Sequence, residues 1–401
     1  MTCVSLPSEL VMEIMSRVPG KSLARFRSVS KHFNSLLSDP CFLRLHHSRS
    51  RYSIFTLKAV LMHESSYYYQ QTYNLFVTNN KANGLVHEFD VDFRTIRMRM
   101  LSSHHQLICF VCEYGIHLCD PVNKELRNLP NPPFSPWCNF NNPGECLVSF
   151  GFVDATRQYK VIKWPHDLDE DRTRRLPSGL ITTWKKVDLK FEVLIIHVME
   201  YGCVKVAPWT WKHTPCPYLL QLSSQVYVNG FIYWTTSDFQ IVSFSLQDET
   251  FSTVSPKPPC FRLDTQGISQ KSRFFTLSGS RRNLWMVDYH VPSQIMEIWK
   301  MEESRGSWAK VHKIDLGGTH PNDNDGKVEM LDIRSDQVVF KLLPRRLLIC
   351  YDANTNTLKN YERESIEYYD HLCHSTDGLL SIHNLDMFNS RPHHSIGKYI
   401  K

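Results

Sequence analysis

At 401 residues and 42% hydrophobic content, the chain is long enough for one large domain or two to three smaller ones with ordinary globular cores. Its formal charge of +6 comes from 46 basic against 40 acidic residues, and twelve cysteines are scattered without a short repeating framework. That balance gives no footing for nucleic acid or an anionic membrane surface, and the cysteine pattern fits reduced thiols better than a disulfide scaffold.

The opening residues, MTCVSLPSELVMEIM, lack the basic region and long apolar core of a signal peptide, and no run of about 18 apolar residues occurs. The expectation is a soluble protein of the cytoplasm or nucleus. Pro7 suits a first helical position, Glu9 the positive end of the helix dipole, and Leu6, Leu10, Ile14 and Val18 recur every four residues. The spacing predicts a first helix with one apolar face, ending near Pro19-Gly20. A second helix is expected from about Ser22 with Leu23 and Phe26 inward, and a third over residues 29–37. Asp39-Pro40 reads as a restart, with aspartate capping and proline opening the next helix. A unit of about 40 residues buries too little surface to be stable alone, so it either docks on the larger domain behind it or meets an external partner.

The residues Leu6-Pro7, Glu9-Leu10, Ile14, Arg17-Val18-Pro19, Lys21-Ser22-Leu23, Arg25-Phe26-Arg27, Val29 and Lys31, with the trailing Asp39-Pro40 and Phe42, resemble the F-box pattern. That resemblance, over about a tenth of the chain, implies docking to the Skp-family adaptor of an SCF-type (cullin-RING) ubiquitin ligase. Carried over residue by residue, it assigns the adaptor contact to Leu6, Pro7, Leu10, Ile14, Leu23, Val29 and Phe33. Two positions depart from the family: Ser30 stands where cysteine is usual and Phe33 where tryptophan is usual. Phe33 keeps an aromatic body without the indole donor, which implies a weaker or more selective contact.

Beyond about residue 50 the texture changes to short runs of Val, Ile, Tyr, Phe and Trp between turn clusters. QVYVNGFIYWTT, residues 225–236, flanks Asn229-Gly230 with two alternating segments and reads as a hairpin. LCDPVNKELRNLP from Leu118, SFSLQDETFSTVS from Ser243 and CYDANTNTLKNYE from Cys350 align without gaps as strand, turn, strand. A weaker copy, EFDVDFRTIRMRM, starts at Glu88. In the three clear copies the third residue is Asp120, Ser245 or Asp352, a turn former, and the ninth is Leu126, Phe251 or Leu358, expected to return to the core. The clear copies begin 125 and 107 residues apart, which suits about three and two units of roughly 40–50 residues, the period of propeller blades. GFVDATRQYKVIKW from Gly151 and MEIWKMEESRGSWAKVHKI from Met296 are further hairpins, while the Tyr-rich HESSYYYQQTY reads as a loop.

Asn229-Gly230 with Tyr233-Trp234, Tyr351-Asp352 with Leu358, and Gly151-Phe152 with Asp154 and Tyr159-Lys160-Val161 resemble, in content and order, the F-box-associated domain of plant F-box proteins. That resemblance implies a kelch-like propeller. The expected fold is therefore α+β and multidomain: a small helical F-box over residues 1–48, then a mainly β domain over 49–401, a kelch-like propeller whose blade count the sequence does not fix.

Chemistry is sparse. Cys109-x-x-Cys112, with His117 and Cys119 close behind, is the nearest approach to a metal or redox signature, but i and i+3 on one strand face opposite ways and no second pair at zinc spacing occurs. The acidic run 167–171 with Arg172, Arg174 and Arg175 reads as a solvated loop, and His46-His47, His104-His105 and His393-His394 as exposed pairs. No phosphate-binding, nucleophile-elbow or zinc-protease motif occurs. The chain is expected to be a non-catalytic subunit without cofactor or metal. It would join a Skp-family adaptor, and through it cullin and RING subunits, to an unidentified target protein, with no nucleic acid or membrane partner. The rivals are a propeller enzyme or glycan-binding protein with a helical cap, and an F-box scaffold acting outside degradation. Trp137, Trp164, Trp184, Trp209, Trp211 and Tyr67 to Tyr69 are candidate target contacts.

Overall fold

The computed structural model describes residues 6–49, 52–61, 71–79, 84–95, 98–132, 148–164, 187–199, 203–216, 218, 225–261, 273–317, 327–361, 369–376, 382 and 386–387. Short breaks fall at 104, 113–114, 122, 237–239, 281, 303–305 and 344–346. The chain opens with four short helices, α1 (Ser8–Met15), α2 (Gly20–Arg27), α3 (Lys31–Ser38) and α4 (Pro40–Arg49). Their joints follow from local chemistry. Pro7 and Pro19 stand at the cap positions of α1 and α2 with extended ψ near 140° (143° and 141°), which stops each helix from running back into the preceding residue. The Ser30 hydroxyl accepts the Phe33 N–H at 3.1 Å and caps α3, so that helix starts two residues later than periodicity alone places it. Asp39 Oδ1 takes the N–H groups of Cys41 and Phe42 at 2.6 and 3.4 Å, the capping expected of Asp39-Pro40.

After α4 the described residues are strand and turn, apart from one 3-10 turn at 259–261. The strands are β1 (Tyr52–Leu61), β2 (Gln71–Asn79), β3 (Gly84–Thr95); β4 (Met98–Ser102), β5 (Ile108–Cys112), β6 (Gly115–Asp120), β7 (Glu125–Asn128); β8 (Val148–Val153), β9 (Gln158–Lys163), β10 (Val187–Val198), β11 (Val204–Val206), β12 (Thr210–Cys216); β13 (Val226–Val228), β14 (Phe231–Thr235), β15 (Ile241–Ser245), β16 (Phe251–Thr253); β17 (Arg273–Ser280), β18 (Asn283–His290), β19 (Ile295–Glu302), β20 (Ser307–Asp315); β21 (Lys327–Ile333), β22 (Gln337–Leu343), β23 (Leu347–Asp352), β24 (Thr357–Tyr361); β25 (Tyr369–Thr376) and β26 (Asp386–Met387). Among the described residues they form six sheets, four of them simple antiparallel meanders: β4 to β7, β13 to β16, β17 to β20 and β21 to β24. The first sheet runs β25-β1-β2-β3 and the third β26-β11-β10-β9-β8, with β12 on β10. This is the expected architecture, helices followed by a mainly β domain of blade-like sheets.

The chain divides into two compact units. The first comprises Met1–Trp164, Glu192–Trp211 and Asp370–Lys401, and its β core gathers Cys109, Leu118, Phe150, Tyr159, Leu194, Trp209 and Ile382. The second comprises Pro165–Phe191 and Lys212–Tyr369, with one core around Tyr289, Ile298, Phe340 and Ile349 and another around Val228, Met286, Trp299 and Trp308.

Turn chemistry accounts for the repeats. The three clear copies occupy β6–β7, β15–β16 and β23–β24, the last two strands of their sheets. In each the seventh residue, Lys124, Glu249 or Asn356, has φ between 52° and 58°, the left-handed step that reverses the chain. The third residue organises the turn. Asp120 accepts from the Asn123 backbone at 3.3 Å, Asp352 from Asn354 at 2.9 Å, and Ser245 from Asp248 at 3.1 Å. Asn229 and Gly230 both have positive φ, 47° and 83°, as a two-residue hairpin requires. The fourth copy is not one: residues from Glu88 run on as strand to the end of β3, because Val91, Asp92 and Phe93 alternate where a turn needs small polar residues. The spacing also needs correcting. Consecutive clear copies are two sheets apart in both intervals, and the third sheet makes the first interval longer by the twelve-residue β10 and one extra strand, β12.

Burial pushes the Asp120 carboxyl up to about 6, against the pull of its hydrogen bonds from Gln106 and Asn123. The folded chain therefore holds this proton up to about pH 6, whereas the unfolded chain releases it near 3.8. Stability from this group is lost as pH rises through that window. Lowering the pH from 7 to 5 should raise the melting temperature of the wild type relative to Asp120→Asn by several degrees. Parallel melting curves at both pH values would refute the assignment.

Candidate adaptor-docking surface

The four helices close on their own core of Met15, Leu23, Leu36, Leu37 and Phe42, with Val11, Met12, Val18, Phe33 and Leu43 packed around it. Two polar clamps hold the end of α1 to α4. Arg49 meets Glu13 at 2.8 Å and donates to the Ser16 hydroxyl at 2.7 Å, and the buried His46 donates its Nε2 proton to the Val18 carbonyl at 3.0 Å while stacking on Phe42. Arg49, then Arg17, hold the Glu13 carboxyl below its ordinary range. His46 is thus a core residue, not half of an exposed pair.

This packing uses only part of the apolar surface of α1. Positions four apart are offset by about 40° on a helix, so Leu10 and Ile14 form one strip, with Leu6 just ahead of the helix, while Val11, Met12 and Met15 lie on the side turned to the core. The strip remains open: Leu6 is 59%, Leu10 50% and Ile14 57% exposed. A second strip, Phe26 at 38% and Val29 at 67%, lies at the end of α2 and just beyond it. Half of the ten exposed large apolar side chains of the described residues therefore fall between Leu6 and Val29. Single exposed apolar residues are ordinary; five within one small unit mark an interaction surface.

Of the residues assigned from sequence, Leu6, Pro7, Leu10, Ile14 and Val29 are exposed on this unit. Phe33 is half-buried, its ring 6.1 Å from Phe26. Leu23 is fully buried in the helical core and cannot touch a partner without unfolding its own helix. Phe26, expected inward, is the surface residue that periodicity misplaced: a helix of eight residues with apolar groups at 23 and 26 does not reveal which of them the core takes. Leu23→Ala should cost about 2–5 kcal/mol and strip hydrogen-exchange protection from residues 8–49 while leaving the sheets protected. Unchanged protection in the helices would contradict the packing described.

Other candidates do not assemble a site. Cys112 Sγ lies 3.4 Å from His117 Nε2, and His117 Nδ1 donates to Asn128 Oδ1 at 2.8 Å, an order of thiol, imidazole and amide. Both Cys112 and His117 are buried, and burial holds the His117 imidazole below its ordinary range, which disfavours the imidazolium that would stabilise a thiolate beside it. No group of three or more metal-ligating side chains occurs among the described residues, and no described helix is long and apolar enough to cross a membrane. His105 contacts the Tyr159 hydroxyl at 2.6 Å and stacks on Phe152. Trp164 and Trp209 are buried with their indole N–H groups on Ser149 and Pro130, whereas Trp211 is exposed. The acidic run with its arginines, Trp137, Trp184, Tyr67 to Tyr69 and His393-His394 lie outside the described residues; the last three residues of HESSYYYQQTY open β2.

A model described as the F-box domain matches residues 4–45, and one described as the F-box associated beta propeller domain matches residues 54–385. The chain is 24% identical over 329 residues to the F-box/LRR-repeat protein At2g43260 of Arabidopsis thaliana, covering 78% of this chain and 68% of that protein. It is 25% identical over 317 residues to the F-box protein At5g49610 of the same plant, covering 77% and 79%. Among solved structures it is similar to the Cps50 (Swd1) beta-propeller domain at 7% identity, with 76% and 88% covered and a TM-score of 0.35, a level that carries no argument.

Proposed function

Because the chain belongs to the F-box-associated β-propeller family and carries an F-box ahead of its propeller, we propose that it is a substrate-recognition subunit of an SCF-type ubiquitin ligase. In this reading residues 1–48 plug into a Skp-family adaptor, and through it into cullin and RING subunits, while residues 49–401 hold a target protein. The observation that carries it is the pair of apolar strips, Leu6, Leu10 and Ile14 with Phe26 and Val29, left open on a helical unit that already has its own core. Pro7 and Phe33 border them. The work is proximity: holding a target beside a ubiquitin-loaded enzyme raises the effective concentration of its lysines, and no side chain of this chain acts as nucleophile or base. Burying the five exposed side chains, at roughly 1.5–3 kcal/mol each in full burial, gives ample gross driving force before the costs of association. The complex would act in the cytoplasm or nucleus.

Co-expression of the full chain with a Skp-family adaptor should yield a complex stable to size-exclusion chromatography. Its target should then accumulate in cells lacking the protein. Failure of the wild-type chain to hold the adaptor would remove this reading.

A further inference from the structure

The segment joining α2 to α3 holds two serines with different commitments. Ser28 turns its hydroxyl back to donate to the Arg25 carbonyl at 2.7 Å. Ser30 is exposed, and its oxygen accepts the Phe33 N–H; among the described residues the hydroxyl donates to nothing. The segment 28–30 joins the two helices and is tied to both, the Ser28 and Val29 N–H groups donating to the Arg25 and Phe26 carbonyls and the Ser30 carbonyl accepting the Asn34 N–H. Residues 25–30 read Arg-Phe-Arg-Ser-Val-Ser: Arg25, five residues ahead of Ser30, is exposed, whereas Arg27, three ahead, is part-buried and donates to the Leu37 carbonyl at 3.3 Å. Lys31 and His32 come next, and no carboxylate occurs between Gly20 and Ser38. An enzyme whose substrate groove is lined with carboxylates reads such a pattern through Arg–carboxylate contacts. Position adds the consequence. Val29, bonded to Ser30, is the most exposed large apolar residue among those described, and the Phe33 whose N–H Ser30 caps lies against Phe26.

We propose that Ser30 is a phosphorylation site for an arginine-directed protein kinase and that its phosphate blocks docking of the adaptor; the docking half rests on the adaptor function proposed for the helices. The γ-phosphoryl group of ATP passes to Ser30 Oγ. The bond from the γ-phosphorus to the β–γ bridging oxygen breaks, the P–Oγ bond forms, ADP leaves, and the hydroxyl proton goes to the base of the kinase. The product carries about −1.5 to −2 charge at pH 7. Its oxygens still accept N–H groups at the positive end of α3, so the helix stays capped. A partner that closed over Val29 and Phe26 would now have to cover a strongly hydrated anion beside them, which costs the phosphate its water. Modification thus spoils the surface without unfolding the unit.

The experiment treats the full chain with an arginine-directed kinase and ATP-Mg, maps the phosphate by mass spectrometry, and measures adaptor affinity before and after by calorimetry. Ser30→Ala and Ser30→Glu are run alongside, with melting curves for each. The expected result is phosphate on Ser30 and not Ser28, affinity at least tenfold weaker for the phosphorylated chain and weakened for Ser30→Glu, near wild-type affinity for Ser30→Ala, and no loss of melting temperature on phosphorylation. Phosphate elsewhere, or unchanged affinity with Ser30 fully phosphorylated, overturns the proposal. Absence of binding by the untreated chain overturns the adaptor reading itself and the docking half with it, an outcome visible before any kinase is added.

Discussion

Leu10→Asp combined with Ile14→Asp is expected to abolish co-purification with a Skp-family adaptor while leaving the melting temperature and circular dichroism of the full chain unchanged. Both side chains stand at least half exposed on α1, and neither belongs to the core that Met15, Leu23, Leu36, Leu37 and Phe42 make. The fold therefore loses little when they become polar. A partner that buried them loses two apolar contacts and must desolvate two carboxylates instead. At roughly 2 kcal/mol or more per side chain the loss exceeds about 4 kcal/mol, or roughly a thousandfold in affinity. Val311→Asp on β20, another exposed apolar position, should leave adaptor affinity unchanged. Retained binding by the double variant, with wild-type melting, would show that the adaptor sits elsewhere.

Ile382→Asp is expected to lower the melting temperature of the chain by roughly 10 °C or more, and deletion of residues 369–401 should leave it unable to purify as a monodisperse species. The C-terminal segment ties three sheets of the first unit. β25 pairs along β1; Ile382 is fully buried in the core with Cys109, Leu118 and Tyr159, its N–H donated to Glu125 at 3.0 Å; and β26 lies parallel on β11. A carboxylate at position 382 would sit among the apolar side chains of this core, and a buried unpaired charge costs about 3–5 kcal/mol. At about 2–4 °C per kcal/mol for a unit of this size, the shift is easily read by calorimetry. The deletion does more, since it strips β1 of one of its two partners, β25, and exposes an edge that other chains can pair with. A wild-type melt from Ile382→Asp would show that the segment is not part of the core.

Much of this architecture is written in short stretches. Pro7, Pro19, Ser30 and Asp39 punctuate the helices through fixed backbone angles and side-chain caps that involve two or three neighbours. Asn229-Gly230 and the Asp120, Ser245 and Asp352 turns are equally local, which is why the hairpins and their order are legible. The failures share the opposite character. The run from Glu88 has a turn residue in the right place but alternates like a strand, and pairing with β2 decided the matter. His46 was brought inside by a carbonyl 28 residues away, and no residue near it in the chain advertises it.

The docking face divides along the same line. The amino-acid sequence by itself determined that the first helix and its lead-in are apolar at Leu6, Leu10 and Ile14, that α2 and α3 carry basic and aromatic residues without a carboxylate, and that turns recur at the ends of paired strands. It could not say which apolar side chains the helices would keep for themselves. A helix wrapped in apolar residues over much of its circumference has two faces to offer, and a period of 3.6 residues marks both alike. Only the packing of α1 against α3 and α4 chose the side of Val11 and Met15 for the core. The same packing buried Leu23, turned Phe26 out, and left Leu6, Leu10 and Ile14 exposed. Burial depends on the neighbours that tertiary structure brings into contact, and that is information no single helix contains.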